Sequence, residues 1–133
     1  MNLILAPGIL EEAIELSRNA SPNEACGLVV GRGAGDRLIP VTNISGNPHR
    51  YEMEPAELIA KLRSLRETGE ELIAIFHSHP HGPPALSQID VERAYYPEAA
   101  HLIISLADPE QPRAVAFRIV DGAVLPIDVH VIV

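Results

Sequence analysis

The sequence predicts an α/β (α+β) fold, a single domain over residues 1–133 in which helices pack against a mixed, mostly antiparallel sheet. Three observations predict it. Apolar residues recur at helical spacing in two stretches, 9–16 and 58–65. Seven short runs are apolar or alternate apolar with polar, as strands do, and turn residues separate most of them. No repeat, low-complexity tract or long linker divides the 133 residues, and a chain of that length buries roughly 70% of its unfolded surface around one core.

The elements follow in order. Leu3–Ala6 is a short apolar strand. Pro7 opens a helix, because its fixed φ suits a first helical position, and Ile9, Leu10, Ala13, Ile14 and Leu16 line one face until the helix ends near Asn19, ahead of "SPNE". "EACGLVVG" and "RLIPVTNIS" form a strand pair across the Gly-rich turn "RGAGD". A second helix has Pro55 at its first position, carries Leu58, Ile59, Leu62 and Leu65 as one stripe and Glu57, Lys61 and Arg66 on its polar face, and ends at Gly69. "ELIAIFHSH" is a strand that Pro80 terminates, and "SQIDVERAYY" turns helical after it. "AHLIISLAD", "RAVAFRIV" and "AVLPIDVHVIV" complete the sheet, the last two joined by a "DG" turn.

Ten Lys and Arg against eighteen Asp and Glu leave a formal net charge of −8, which repels a phosphate backbone and an anionic lipid surface. Neither nucleic acid nor membrane is expected as a partner. "MNLILAPG" has no basic segment and breaks at Pro7 and Gly8 before an apolar signal core forms, and no apolar stretch approaches the ~20 residues of a membrane span. A lone cysteine, Cys26, leaves no internal disulfide, so the expected location is the reducing cytoplasm.

Three of the six histidines, His77, His79 and His81, fall within five residues of "IAIFHSHPHGPPALSQIDVERA". Residues two apart in a strand share a face, so His77 and His79 form a rigid two-point clamp for a divalent metal. Zinc suits imidazole, and an open zinc site asks for a third protein ligand. Asp90, in the first turn of the following helix, is placed to face back to the strand end. Ser87 and Asp90 also spell the S-x-x-D of a capping box with Ser87 as N-cap, and the two readings are compatible. Cys26 is either a thiolate near the metal or a small buried hydrophobe ahead of "GLVV". His81 lies in a turn rich in Pro and Gly and is not needed for the ligand count, while His49, His101 and His130 read as ordinary surface or core residues.

The pattern H-S-H-P-x6-S-x2-D over residues 77–90 resembles the JAMM (MPN+) motif of zinc-dependent peptidases and isopeptidases, which cut at the C-terminal tail of ubiquitin-like proteins. That family also places a glutamate upstream, where Glu24 stands in "PNEACGLVVG"; from local sequence alone Glu24 is equally a solvated residue at a strand start. The resemblance implies the JAMM/MPN, cytidine-deaminase-like fold and one Zn2+ per chain on His77, His79 and Asp90, with water in the fourth position. It further implies that Glu24 handles protons and that Ser87 supports the oxyanion. The short chain resembles the prokaryotic branch, linked to ubiquitin-like β-grasp sulfur-carrier proteins. After the carrier's C-terminal Gly-Gly, such members remove an amino acid, cysteine in some cases, or an attached protein.

Three other readings stand beside this one. A zinc deaminase uses H-x-E with P-C-x-x-C, which a chain with one cysteine lacks. A metal-free MPN scaffold is opposed by the presence of all five motif residues. A binding module for a β-grasp protein with little turnover is separated from an enzyme only by an activity assay.

Overall fold

The computed structural model describes residues 2–132. The expected domain bounds, 1 and 133, and the end of the last expected strand at Val133 lie just outside the described residues. The chain runs β1 (Asn2–Leu5), α1 (Ile9–Ala20), β2 (Cys26–Gly31), β3 (Arg37–Val41), α2 (Pro55–Thr68), β4 (Glu71–His79), α3 (Gln88–Glu92), β5 (Ala100–Ser105), β6 (Arg113–Val120) and β7 (Ala123–Val131). All seven strands join one sheet in the order β1-β7-β6-β5-β4-β2-β3. Pairs β2–β3, β2–β4, β5–β6 and β6–β7 are antiparallel, while β4–β5 and β1–β7 are parallel. The mixed, mostly antiparallel sheet is therefore as expected.

The parallel pair positions the site. Parallel neighbours cannot be joined by a tight turn, so the chain leaving the carboxyl end of β4 must cross back before entering β5. Residues 80–99 make that crossover, and α3 within it sits beside the end of β4. On one face of the sheet α1 packs through Ile9 and Ala13 on Leu3, Leu5, Val29, Phe76, Leu102 and Ile104. Across the sheet, Leu58, Leu62 and Leu65 of α2 cover Leu28, Val30, Ile39, Val41 and Ile75. Covering on both faces explains why all six residues of β2 are buried and why "CGLVVG" reads as a continuous apolar run. Pro40, lacking an N–H to give to a ladder, is tolerated because β3 is an edge strand.

The strand expected over 3–6 lies at Asn2–Leu5, and those expected over 24–31, 37–45 and 100–108 shorten to Cys26–Gly31, Arg37–Val41 and Ala100–Ser105, so Glu24 precedes β2; four further details depart from the expected elements. α1 begins at Ile9, with Gly8 as N-cap at φ 93°, a left-handed conformation that keeps Pro7 out of the first turn. Ile59 is 50% exposed, because the stripe that meets the sheet passes through Leu58, Leu62 and Leu65. α3 spans five residues, shorter than "SQIDVERAYY" suggested. Glu54, unforeseen, caps α2 by accepting from the N–H groups of Ala56 and Glu57, while Pro55 takes the expected first helical position. The "DG" turn forms as expected, with Asp121 and Gly122 both at positive φ (51° and 78°), as a tight hairpin of type I′ requires. No described helix is long and apolar enough to cross a membrane.

Candidate metal centre

β4 ends in His77, Ser78 and His79, and its antiparallel pairing with β2 sets Cys26 opposite His77. The segment just before β2 is thereby laid beside the end of β4. Ser78, whose side chain alternates to the other face from the two imidazoles, fastens it. Its Oγ accepts from the Ala25 N–H at 2.8 Å, and its N–H donates to the Ala25 carbonyl at 3.0 Å. Asn43 Nδ2 donates to the Glu24 carbonyl at 2.9 Å. With its neighbour and its own carbonyl held, Glu24 is buried, 3% exposed, so the solvated reading of this residue does not hold.

Three donor atoms converge on one point. His77 Nε2 lies 3.2 Å from His79 Nε2, and Asp90 Oδ2 lies 3.2 Å and 3.1 Å from those two nitrogens. A tetrahedral ion with bonds of about 2.0–2.1 Å separates its ligand atoms by roughly 3.3 Å, close to the edges of this triangle. Two imidazoles and a carboxylate are also a donor set that zinc accepts. Glu24 completes a wider group: its carboxylate and the His77 and His79 rings have ligand atoms within 4.8 Å of one another and could hold a metal ion. Glu24 Oε1 is buried without a hydrogen-bond partner.

The surroundings orient each donor. His79 Nδ1 donates to the Pro83 carbonyl at 2.9 Å, which leaves Nε2 as the nitrogen facing the triangle. Tyr51 stacks on His77 with ring centroids 4.7 Å apart and planes at 27°, fixing that imidazole from outside the sheet. Ser87 caps α3, and the capping box is complete, so the bland reading of S-x-x-D is correct as far as it goes. The same Asp90 oxygen that accepts from the Ser87 N–H also meets the imidazoles. Ser87 itself is exposed, and its Oγ accepts from the Asp90 N–H at 3.1 Å, which leaves its hydroxyl proton free to donate outward.

Electrostatics follow burial and charge. Burial, partly offset by His79 and reinforced by Asp90, raises the Glu24 carboxyl to about 7, so it exchanges protons near neutrality. Burial also pushes Asp90 up, but hydrogen bonds from His77 and His79 outweigh it and hold this carboxyl well below the usual range. Burial lowers His77; at His79 it is overcome by the Asp90 and Pro83 hydrogen bonds and the net shift is upward.

The remaining candidates separate. Cys26 is buried, donates from Sγ to the Val41 carbonyl at 3.3 Å, and has its thiol raised to about 12 by burial and by the Glu24 charge, as a packed structural thiol would. His81 and His49 border a hollow shared with Glu24, His79 and Ser87, while His130 is exposed on β7. His101, expected as an ordinary surface or core residue, is a core residue at 5% exposure; it pairs with Ile75 across β4 and β5 and also lines a second hollow together with Asp90. Ser78, Asn43 and Tyr51 were missed altogether. A polar Ser78 inside an otherwise apolar strand was a usable signal; nothing local marks Asn43 or Tyr51.

Fold and donor geometry together define a small α/β protein organised around one buried group able to take a metal ion. The chain belongs to the family described as prokaryotic homologs of the JAB domain, whose model matches residues 7–120. The resemblance carried by residues 77–90 is thereby established as membership. It is 31% identical to the CysO-cysteine peptidase of Mycobacterium tuberculosis over 133 residues, covering 98% of this chain and 91% of that one. With the desampylase of Haloferax volcanii it shares 33% identity over 101 residues, 73% of each chain. Among solved structures, protein DSY2949 from Desulfitobacterium hafniense superposes with a TM-score of 0.86 at 34% identity, covering 99% of this chain and 93% of that one.

Proposed function

We propose that residues 1–133 act as one JAMM/MPN+ domain, a zinc-dependent peptidase or isopeptidase that hydrolyses the amide bond after the C-terminal Gly-Gly of a ubiquitin-like β-grasp carrier. The product released is an amino acid, cysteine among the candidates, or an attached protein. The observation that carries this reading is the triangle of His77 Nε2, His79 Nε2 and Asp90 Oδ2, closed to 3.2 Å or less, beside an unpartnered Glu24 Oε1. The names of the relatives, CysO-cysteine peptidase and desampylase, support the substrate class.

His77, His79 and Asp90 would hold one zinc. When bound, zinc supplies a Lewis acid for the scissile carbonyl and makes water nucleophilic at neutral pH. Asp90 is assigned as third ligand in preference to Glu24 because its oxygen stands 3.2 Å and 3.1 Å from the two imidazole nitrogens, whereas the Glu24 carboxylate joins them only within the wider 4.8 Å group. Glu24, buried beside the two imidazoles, takes the proton of the attacking water and hands it to the departing amine. Ser87 donates its exposed hydroxyl to the carbonyl oxygen as that oxygen gains charge. Each turnover breaks one C–N bond and forms one C–O bond, with the water's proton ending on the amine.

The test is a zinc-loaded protein mixed with a β-grasp carrier extended beyond Gly-Gly, with mass spectrometry reading the cut. Cleavage directly after the second glycine that stops on chelation and returns with zinc is expected. An intact substrate under all conditions, with the carrier nonetheless bound, would make the chain a binding module.

A further inference from the structure

Two hollows flank the donor triangle, one bordered by His79 and the other by Asp90. One, of about 310 Å³, is bounded by Glu24, His79 and Ser87 with Pro48, Pro83 and Leu86. The other, of about 400 Å³, is bounded by Asp90 together with Arg50, Tyr51, Met53, Arg93, Tyr96 and His101. Their linings differ in kind. No arginine or lysine borders the first, whereas the second has two arginines, neither of which forms an ion pair among the described residues. Both guanidinium groups are therefore open to an anionic ligand at that mouth. Glu52 and Asp90 share that wall, and the Asp90 charge is the one a metal on the donor triangle would offset. His101 borders the hollow as a buried side chain.

We propose that this second hollow binds the residue that follows the scissile bond and recognises its free α-carboxylate. The carboxylate pairs with Arg50 and Arg93, and Tyr51, Met53 and Tyr96 receive the side chain. The inference rests on the cleavage site proposed above. Size supports it, since two glycines carry no side chain with which to fill 400 Å³, and the hollow adjoins Asp90, so its occupant lies next to the reacting bond. The substrate class is then a carrier bearing one amino acid or a very short peptide with a free C-terminus. A carrier joined to a lysine side chain within a folded protein offers no carboxylate at that point, and the arginines discriminate against it.

The experiment compares three substrates on the zinc-loaded chain. They are a β-grasp carrier extended beyond Gly-Gly by one alanine with a free carboxylate, the same carrier ending in alanine carboxamide, and the same carrier joined to the lysine ε-amine of a doubly blocked peptide. The free carboxylate should be preferred about tenfold or more in kcat/KM, mostly through KM, as expected for a charge-assisted pair. Arg50→Gln with Arg93→Gln should collapse that preference, and Arg50→Lys with Arg93→Lys should restore much of it. Equal rates on all three substrates, or a double variant that slows all three alike, would overturn the proposal. If the wild type cuts none of them, the cleavage reading has failed on its own. Calorimetry with the uncut carriers then reads the hollow: tighter binding of the carboxylate form supports it, and equal affinity for carboxylate and carboxamide overturns it.

Discussion

Ser87 and Asp90 hold each other twice: the Ser87 hydroxyl accepts from the Asp90 N–H at 3.1 Å, and the Asp90 carboxylate accepts from the Ser87 N–H at 2.9 Å. The helix cap thereby fixes the rotamer of the carboxylate that faces His77 and His79. Capping and ligand presentation are one arrangement, and the two halves can be separated because only one uses the Ser87 side chain.

Ser87→Ala removes that half and keeps the N–H that orients Asp90. Stability should fall by about 0.5–2 kcal/mol, the usual worth of an N-cap, and zinc content should stay near that of the parent. Turnover should drop by about 10²–10³ if the hydroxyl serves the oxyanion. A thermal melt, metal analysis and a rate measurement on one preparation check all three.

Asp90→Asn should lose most bound zinc, and Cys26→Ala should keep about one per chain, measured by elemental analysis after dialysis. Because the two core layers do not depend on the donors, chelating the metal should leave circular dichroism nearly unchanged. Zinc loss from the cysteine variant, with retention in the aspartate variant, would reverse the ligand assignment.

Glu24→Gln keeps the reach of the side chain but cannot accept a proton near neutrality. Zinc should remain and kcat should fall by about 10²–10⁴ with KM little changed. A variant that lost its zinc would instead mark Glu24 as a ligand.

In metal-free protein Glu24 has a further signature. Its carboxyl is raised from an ordinary 4.5 to about 7, so between those values the native state binds more protons than the unfolded one. The stability this adds is complete below pH 4.5 and is lost as pH rises through 7. His101, pushed down to about 4 by burial, acts in the opposite sense and costs stability as pH falls from 6.5 toward 4. Measured with chelator across this window, metal-free Glu24→Gln should gain melting temperature relative to the parent as pH rises. A constant offset between the two curves would remove the raised carboxyl from the account.

His77 and His79 were legible as a clamp because strand periodicity puts residues two apart on one face, whatever the rest of the chain does. Asp90 was legible for a similar reason: a proline stop, a short turn and an S-x-x-D cap confine a first-turn carboxylate to the neighbourhood of the strand end. The helices were also visible, although Ile59 was placed on the buried stripe when half of it is exposed, since helical spacing gives a face but not the neighbour that covers it. Only the tertiary structure decided the rest. Glu24 reaches the imidazoles because its neighbour Ala25 is bonded to Ser78, 53 residues further along the chain, and because Asn43 holds the Glu24 carbonyl. His101 adjoins the site because β5 pairs in parallel with β4, setting it beside Ile75. Periodicity, caps and turns are interactions of near neighbours and are written locally. Which distant strands pair is settled by collective burial of both sheet faces, and no short stretch of residues encodes that alone.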